Sequence, residues 1–187
     1  MKKYSLIYLV KSDLFRQNGR ISLGLFIKDI LFRKGFKFVF WMRVAKHFDK
    51  TPMIRLLPKL IFSYYKRAYT TDINYRAAIG PGFSMYHVFG TTLGSSVIIG
   101  SNVTIVHGVT IAGKNKKYPK INDNVYIGAG VCILGGITIG SNAIIGANAV
   151  VTKDIPENAV VVGNPSRIVS YDGSSSSLVN IWKFENE

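Results

Sequence analysis

The sequence has little cysteine, little histidine and little acid. Its one cysteine, Cys132, excludes an internal disulfide framework and fits a reducing compartment. No pattern that would activate a thiolate surrounds Cys132, so we interpret it as a packing residue. The three histidines, His47, His87 and His107, leave few candidates for acid–base chemistry near neutral pH.

Long apolar runs are also absent. No stretch reaches the roughly 18 apolar residues that a membrane-spanning helix needs. A short apolar run near the N-terminus is interrupted by charge and lacks a small-residue cleavage site, so we expect no signal peptide and a cytoplasmic protein. Ten acidic residues stand against 24 basic ones, a net charge of +14. This excess indicates an anionic partner: a phosphorylated cofactor, anionic lipid, acidic polysaccharide or nucleic acid.

What the sequence does contain is a period of six residues between positions 93 and 151. Branched apolar residues recur with this spacing, and a glycine follows many of them. They are Leu93, Ile99, Ile105, Ile111, Ile121, Ile127, Ile133, Ile139, Ile145 and Val151. The period predicts a mainly β protein: a parallel β-helix with three short strands in each coil and the branched residues stacked inside.

Two insertions break this period. The step from Met85 to Leu93 has two extra residues, and the step from Ile111 to Ile121 has four, within the segment GKNKKYP. Insertions in a β-helix emerge as loops on one face, which is often the binding face. We therefore expect a functional cleft beside these two breaks.

These patterns divide the chain into three segments. Residues 1–69 are basic and aromatic, and their helical spacing predicts a short α-helical N-terminal domain. Residues 70–168 form the predicted β-helix domain. Residues 169–187 begin with the polar run SYDGSSSS and are predicted to form a flexible linker and a C-terminal tail.

Two of the histidines share one phase of the period. His87 and His107 each lie two residues after an inward-pointing residue, and they are three hexads apart, which is one coil. The imidazoles should therefore occupy one corner of adjacent coils, about 4.8 Å apart. An imidazole there can accept a proton from a hydroxyl or an amine, while a surface pair or a subunit contact remains an alternative. We expect no metal site, because no third ligand of suitable phase is evident.

The segment from TDINYRAAIG to VVGNPSRIV, about residues 70–168, resembles the hexapeptide-repeat acyltransferases. Within them it is most similar to the serine acetyltransferases and to the related O-acetyltransferases of surface polysaccharide synthesis. The resemblance implies a left-handed β-helix, a homotrimer, and acetyl-CoA as the acetyl donor, bound in the groove between two prisms.

The resemblance also implies catalytic roles. His87 falls on the catalytic base of the family, and Asp72 falls on the aspartate that orients it. His107 replaces a family glutamine and is expected to bond the acceptor or to support His87. Direct attack on the thioester needs no acyl-enzyme, and a backbone N–H between Thr110 and Gly113 is expected to meet the oxyanion.

Acetyl-CoA binding is assigned to further matching positions. Ala129 and Ala147 match small positions whose backbone lines the pantetheine arm of the cofactor. Thr152 and Lys153 match positions near the nucleotide end, where a cation meets phosphate, although a merely solvated Lys153 is an equal alternative. Gly113 belongs with these cofactor-binding residues.

The sequence departs from the serine acetyltransferases where they hold the amino acid. An RDP phrase reads Arg16-Gln17-Asn18 here, Tyr86 replaces an aspartate, and Lys117-Tyr118 replaces an Arg-His pair. Because a buried ammonium needs a counter-charge, we expect a carbohydrate acceptor that contacts Tyr86, Lys117 and Tyr118. The predicted function is therefore sugar O-acetylation in capsule or O-antigen synthesis, with serine or an amino sugar as the alternative acceptor.

The basic N-terminal domain has two interpretations. It either caps the β-helix and packs between subunits, or it makes a peripheral contact with anionic lipid at the inner face of the cytoplasmic membrane. A non-catalytic β-helix that binds through its charge is the remaining alternative to an enzyme. We expect no nucleic-acid partner, because the basic residues are not organised around a known reading module.

Overall fold

The N-terminal part of the molecule is helical. A computed structural model describes residues 4–183. Its helices are α1 (Leu6–Asn18), α2 (Leu23–Phe32), α3 (Lys34–His47) and α4 (Leu56–Ala68), with a short 3-10 helix at Phe48–Lys50. The hydroxyl groups of Ser5 and Ser22 accept backbone N–H bonds at the starts of α1 and α2, and Gly19 ends α1 in the left-handed conformation. No helix among the described residues is both long enough and apolar enough to cross a membrane.

Helix α3 is the centre of this region, because α1, α2 and α4 all pack against it. Aromatic side chains fill the contacts: the rings of Phe26 and Phe36 lie 6.0 Å apart, and those of Phe38 and Phe62 lie 5.2 Å apart. The arrangement uses large side chains of irregular spacing, which bury much apolar area in few contacts.

Short parallel strands make up the rest of the fold. They are β1 (Asp72–Ile73), β2 (Ala78–Ile79), β3 (Ser84–Met85), β4 (Thr92–Leu93), β5 (Ile98–Ile99), β6 (Thr104–Ile105), β7 (Thr110–Ala112), β8 (Lys120–Ile121), β9 (Tyr126–Ile127), β10 (Cys132–Leu134), β11 (Thr138–Ile139), β12 (Ile144–Ile145), β13 (Val150–Val151), β14 (Val160–Val162) and β15 (Arg167–Ser170). From β1 to β13 every third strand returns to the same sheet. Strands β14 and β15 both extend the sheet of β12, and among the named strands only β15 pairs antiparallel, with β14.

Three sheets form the faces of a prism. The first face contains β1, β4, β7, β10 and β13; the second contains β2, β5, β8 and β11; the third contains β3, β6, β9, β12, β14 and β15. Along the first face Leu93, Ile111, Ile133 and Val151 stand in register, and each is at most 1% exposed. The predicted fold class, a parallel β-helix with a helical N-terminal region, is confirmed.

A column of asparagines marks the corner between the second and third faces. Asn102, Asn124, Asn142 and Asn158 all have positive φ, and the side-chain amide of each of the first three donates to the next. Asparagine tolerates the left-handed turn that this corner requires.

The C-terminal segment runs back along this asparagine column. Gly173 N donates to Asn158 O at 3.0 Å, and Ser174 N donates to Asn142 O at 2.8 Å. At the far end Trp182 N donates to Asn102 Oδ1 at 2.9 Å. The described part of the predicted flexible linker and tail, residues 169–183, therefore lies against the prism. The reason is that the column offers unpaired carbonyl and amide groups that the tail backbone satisfies. Residues 184–187 of that prediction lie outside the described residues.

Candidate functional site

Four residues stack on the corner between the third and first faces, and we call this the histidine corner. The strands of the third face are in register at Met85, Ile105, Ile127 and Ile145. Two residues further along, each coil places His87, His107, Ala129 and Ala147. Backbone bonds join the coils here, such as Gly130 N to His107 O at 2.9 Å and Asn148 N to Ala129 O at 2.8 Å. The predicted catalytic histidines and the two predicted cofactor alanines therefore share one corner.

His87 has a backbone conformation that differs from that of its equivalents. Its φ is +53°, in the left-handed region, whereas His107, Ala129 and Ala147 are not among the residues with positive φ. The two extra residues between Met85 and Leu93 produce this turn. A β-helix coil of standard length would not give His87 this direction, and left-handed backbone at a non-glycine residue is frequent at functional sites.

The two imidazoles contact each other edge to face. Their ring centroids lie 6.0 Å apart at an interplanar angle of 78°, and the ring of Phe89 lies 6.4 Å from that of His107. His87 is exposed and His107 is half-buried. The Nδ1 atom of His107 is buried and has no hydrogen-bond partner within residues 4–183. An unpaired buried nitrogen beside an exposed imidazole is a group held available for a substrate or for His87.

Asp72 does not make the bond that the resemblance implies. Its carboxylate accepts from Lys66 Nζ at 2.8 Å, and its side chain is 81% exposed. Within residues 4–183 no hydrogen bond joins Asp72 to His87. Asp72 begins β1 on the first face, whereas His87 follows β3 on the third face, so the corner lies between them. The orienting role of Asp72 stays a prediction that the contacts of this chain do not support.

A cavity of about 500 Å³ opens beside His87. The prism contributes Met85, Tyr86 and His87, and the helical region contributes the rest: Gln17, Phe32, Arg33, Lys34, Gly35 and Phe36. Helix α3 approaches the corner so closely that a Cβ on Gly35 would collide with the Met85 carbonyl oxygen. The cavity is open to solvent on one side, and no carboxylate lines it.

Two of these lining residues carry polar groups that the sequence did not mark as site residues. Lys34 is exposed at the start of α3, and Gln17 Nε2 donates to Ser84 Oγ at 2.7 Å. The neighbouring Arg33 is held in place by two residues, because its Nε lies 3.1 Å from Asp29 Oδ1 and its Nη1 donates to Gln17 O at 3.0 Å and to Gln17 Oε1 at 3.4 Å. The one available signal was the Arg16-Gln17-Asn18 departure, which pointed at Gln17 but not at Lys34.

Arg16, the first residue of that departure, is structural. It is 2% exposed, and its guanidinium donates to Gly82 O at 3.2 Å, to Thr104 Oγ1 at 2.8 Å and to Val179 O. Burial lowers the pKa of Arg16, and the interactions with Tyr86 and Asp13 oppose this shift. Arg16 thus joins α1 to the prism and to the C-terminal segment.

A second cavity, of about 490 Å³, lies under the four-residue insertion at the corner between the first and second faces. Lys114, Lys117, Gly136 and Thr152 are among its lining residues. Lys114 and Lys117 exchange backbone bonds of 2.9 and 3.0 Å, which closes the loop as a tight turn. We call this the loop corner.

Some of the remaining predicted residues line the cavity of the loop corner, and others do not. Lys117 and Thr152 share its cavity, whereas the exposed Lys153 does not line it. Tyr118 packs at the base of the loop, where a Cβ on Gly113 would meet its ring at 2.5 Å. Lys117 and Tyr118, predicted to contact the acceptor, therefore lie on a different corner from His87. One of the N–H groups predicted to meet the oxyanion is already hydrogen-bonded, because Thr110 N donates to Val131 O at 2.8 Å within the first face.

The described residues contain no cluster of three or more histidine, cysteine, aspartate or glutamate side chains that could hold a metal ion. Cys132 is a half-buried thiol on the first face. Cys132 does not line either of the two cavities.

The fold and a family match define the class. Residues 118–153 match the family described as bacterial transferase hexapeptide (six repeats). The chain is 37% identical over 153 residues to a serine acetyltransferase of Bacillus pumilus, which covers 79% of this chain and 70% of that protein. It is 40% identical over 169 residues to serine acetyltransferase 3, mitochondrial, of Arabidopsis thaliana, covering 88% of this chain and 43% of the relative. The chain therefore spans less than half the length of the plant relative.

Solved structures agree. A soybean serine acetyltransferase complexed with serine superposes with a TM-score of 0.75 at 36% identity, covering 88% of this chain and 70% of that one. A serine acetyltransferase in complex with CoA gives a TM-score of 0.73 at 32% identity, covering 88% and 69%. This chain belongs to the serine acetyltransferase family. Membership agrees with the predicted class of enzyme, an acetyltransferase, and with acetyl-CoA as its donor.

The prediction of a carbohydrate acceptor in surface polysaccharide synthesis is wrong. The relatives are serine acetyltransferases, and one of the matching structures holds serine. The prediction assumed that an ammonium would be buried without a counter-charge. The His87 cavity does lack a carboxylate, but it is open to solvent, so a bound ammonium keeps part of its water shell and the desolvation cost is not incurred in full.

Proposed function

We propose that this chain transfers the acetyl group of acetyl-CoA to the hydroxyl of serine. The observation that carries the proposal is the exposed His87 imidazole at the edge of an open cavity that also presents Lys34 and Gln17. A general base, a cation and the Tyr86 hydroxyl around one small cavity are groups that can activate a hydroxyl and hold an amino acid.

The reaction follows from the position of His87. Its imidazole takes the proton of the serine hydroxyl as the oxygen attacks the thioester carbonyl. The carbon–sulfur bond then breaks, and the imidazolium returns the proton to the thiolate of CoA. The products are O-acetylserine and CoA, and His87 ends in its starting state. No acyl-enzyme forms, and Cys132 has no part in the transfer.

The cavity supplies partners for the two charges of serine. Lys34 is an exposed cation that attracts the carboxylate. Tyr86 offers a neutral oxygen to the ammonium, whereas both ends of the Gln17 amide are engaged, the nitrogen with Ser84 and the oxygen with Arg33. Neutral oxygens bind an ammonium more weakly than a carboxylate does, so we expect a modest affinity for serine.

The rest of the prism offers groups that can bind acetyl-CoA. Ala129 and Ala147 continue the histidine corner with small side chains, which leaves a path for a narrow pantetheine arm to reach His87. The loop corner places Lys114, Lys117 and Thr152 around one cavity, and lysines beside a hydroxyl suit phosphate groups.

We further propose a homotrimer, as the resemblance implies. The histidine corner and the loop corner lie at opposite edges of the first face. A threefold assembly that sets the loop corner of one copy against the histidine corner of the next brings both halves of an acetyl-CoA site together. In such an assembly Lys117 and Tyr118 also approach the His87 of a neighbour.

Release of free thiol from acetyl-CoA tests the proposal. The full chain should release CoA when L-serine is added, and glycine, which lacks the hydroxyl, should give no release. Lys34→Gln should raise the KM for serine about tenfold, because a charge-assisted bond of roughly 1.5 kcal/mol is lost, and should leave the KM for acetyl-CoA unchanged.

Lys28→Gln is the matched control, since Lys28 is an exposed lysine of α2 outside the cavity. Its kinetic constants should equal those of the unaltered chain. If serine released no thiol above the rate of hydrolysis, serine would not be the acceptor. An equal change in both KM values for Lys34→Gln would remove Lys34 from the serine site.

A further inference from the structure

Helix α4 and the turn before it expose apolar side chains along one stripe. Met53, Leu57, Leu60 and Tyr64 follow each other at spacings of three and four residues, and they are 96%, 64%, 58% and 66% exposed. The other side of the helix is also apolar, with Phe62 buried against Phe38 of α3. The internal packing of the protein therefore uses only one of the two apolar sides of α4, and the outer stripe faces solvent.

The stripe lies in a segment that has cations and no acid. Residues 50–71 contain five lysines and arginines and no aspartate or glutamate. Lys59 pairs with Asp49 and Lys66 pairs with Asp72, both acids from outside the segment. Lys50, Arg55 and Arg67 are exposed, and within residues 4–183 they take part in no salt bridge.

We propose that the lipid-facing surface, defined as Met53, Leu57, Leu60 and Tyr64 with Arg55 and Arg67, binds the surface of an anionic lipid bilayer. A helix that lies in the plane of a bilayer inserts its apolar stripe among the acyl chains while its lysines and arginines contact anionic headgroups. Helix α4 carries Leu57, Leu60, Tyr64 and Arg67, and the turn before it adds Met53 and Arg55, so apolar side chains and cations lie together on this surface.

Charge favours a lipid surface over a second copy of this chain. A second copy would bring the same arginines to the contact, and the chain carries 24 basic residues against 10 acidic ones. The two acids nearest this segment, Asp49 and Asp72, already pair with Lys59 and Lys66. A partner that covers the stripe must therefore be anionic as well as apolar, which describes a bilayer with phosphatidylglycerol headgroups.

Vesicle flotation tests this proposal. The full chain should float with vesicles of phosphatidylcholine and phosphatidylglycerol at low salt, should float much less with phosphatidylcholine alone, and should be released by high salt. Arg55→Gln with Arg67→Gln should weaken binding about 25-fold, since each cation at a bilayer surface contributes about fivefold. Leu57→Gln with Leu60→Gln should abolish flotation at both salt concentrations.

Matched controls distinguish binding through this surface from nonspecific binding of the protein to lipid. Lys11→Gln with Arg167→Gln removes two exposed charges elsewhere, and Ile168→Gln with Val169→Gln removes two exposed apolar residues from β15. Both control proteins should float like the unaltered chain. Circular dichroism verifies that each variant folds.

Three results would overturn the proposal. They are the absence of flotation with either vesicle, equal flotation of the test and control variants, and a change of sedimentation velocity without lipid in Leu57→Gln with Leu60→Gln. The last result would assign the stripe to a second copy of the chain. Flotation does not depend on acetyl transfer, so this proposal and the proposed function fail separately.

Discussion

The β-helix and the helical region bury their apolar residues in different ways. In the prism each face repeats one inward residue of similar size, such as Ile105 and Ile127, and these are fully buried. In the helical region a few large aromatic rings at irregular spacing, such as Phe38 and Phe62, form the buried core. A repeated core spreads its stability over many equivalent contacts, whereas the helical core depends on particular side chains.

The two regions also divide the proposed site. The prism supplies His87 and the alanine column, and the helices supply Lys34 and Gln17. We therefore expect changes in the prism to alter the rate of acetyl transfer and changes in the helices to alter serine binding or stability. The predictions below test that division, from the largest expected effect to the smallest.

The largest effect is expected at the prism. His87→Ala should lower kcat by about 10²–10⁴-fold, because the general base is lost, while the thermal midpoint stays close to that of the unaltered chain. Steady-state thiol release and a melting curve check both statements. An active His87→Ala protein together with an inactive His107→Ala protein would move the role of base to His107.

The next effect is expected where the helices meet the first coil. Arg43 Nε donates to Asp13 Oδ2 at 3.0 Å, and its two terminal nitrogens donate to Ile79 O and Gly80 O at 2.7 and 2.6 Å. Both side chains of the pair are at most 3% exposed. Arg43→Ala leaves the Asp13 carboxylate buried without its counter-charge and should cost about 3–5 kcal/mol of unfolding free energy.

The pH dependence of this loss has a definite sign. Burial raises the pKa of Asp13, and the Arg43 guanidinium opposes the shift. Without Arg43 the folded protein binds the Asp13 proton more readily than the unfolded chain does. The stability deficit of Arg43→Ala should therefore shrink as the pH falls below that raised pKa and grow as the pH rises through it. Urea titrations at several pH values measure this. Arg55→Ala, an exposed arginine, should show no deficit.

Much of the prism could be predicted from the sequence, because its register is a local property. The step of six residues fixes which side chain points inward, and His87 and His107 then fall on one corner. The orienting role of Asp72 rests on the resemblance alone. In the structure its carboxylate accepts from Lys66, and Asp72 and His87 belong to different faces of the prism. The acceptor cavity needed tertiary contacts: Lys34 and Gln17 reach His87 only because α3 packs closely on the first coil.

The C-terminal segment shows the opposite limit. Its serine-rich composition is typical of a linker, and nothing in that composition reports the groups it meets. Gly173 and Ser174 are held by backbone carbonyls of the asparagine column, which exists only once the coils are stacked. Local composition predicts flexibility correctly only when no such complementary surface is present.

A smaller effect is expected where this segment returns to the helices. The Trp182 ring lies edge-on to Tyr8 at 5.7 Å and to Phe15 at 5.4 Å, and its Nε1 donates to the Tyr8 hydroxyl at 3.0 Å. Trp182→Ala should cost about 1.5–4.5 kcal/mol, the sum of two aromatic pairs and one hydrogen bond. Hydrogen exchange should locate the loss in α1. Tyr171→Ala, which removes an exposed ring of the same segment, should leave α1 protected.

The smallest effect is expected at Asp49, which ties the helices to the first coil at the surface. Asp49 accepts from Lys59, from Arg76 Nε at 3.1 Å and from the Tyr75 hydroxyl at 3.0 Å. The bonds from Lys59 and Arg76 hold the pKa of Asp49 well below its usual range. A depressed carboxyl pKa stabilises the fold above the unfolded value of about 3.9, and this contribution is lost as the pH falls. Asp49→Asn should therefore melt slightly lower than the unaltered chain at pH 7, and the difference should narrow as the pH falls below the unfolded value of about 3.9. A deficit that did not narrow at all over that pH range would mean that Asp49 acts through its shape and neutral bonds, and the surface connection between the two regions would then not be electrostatic.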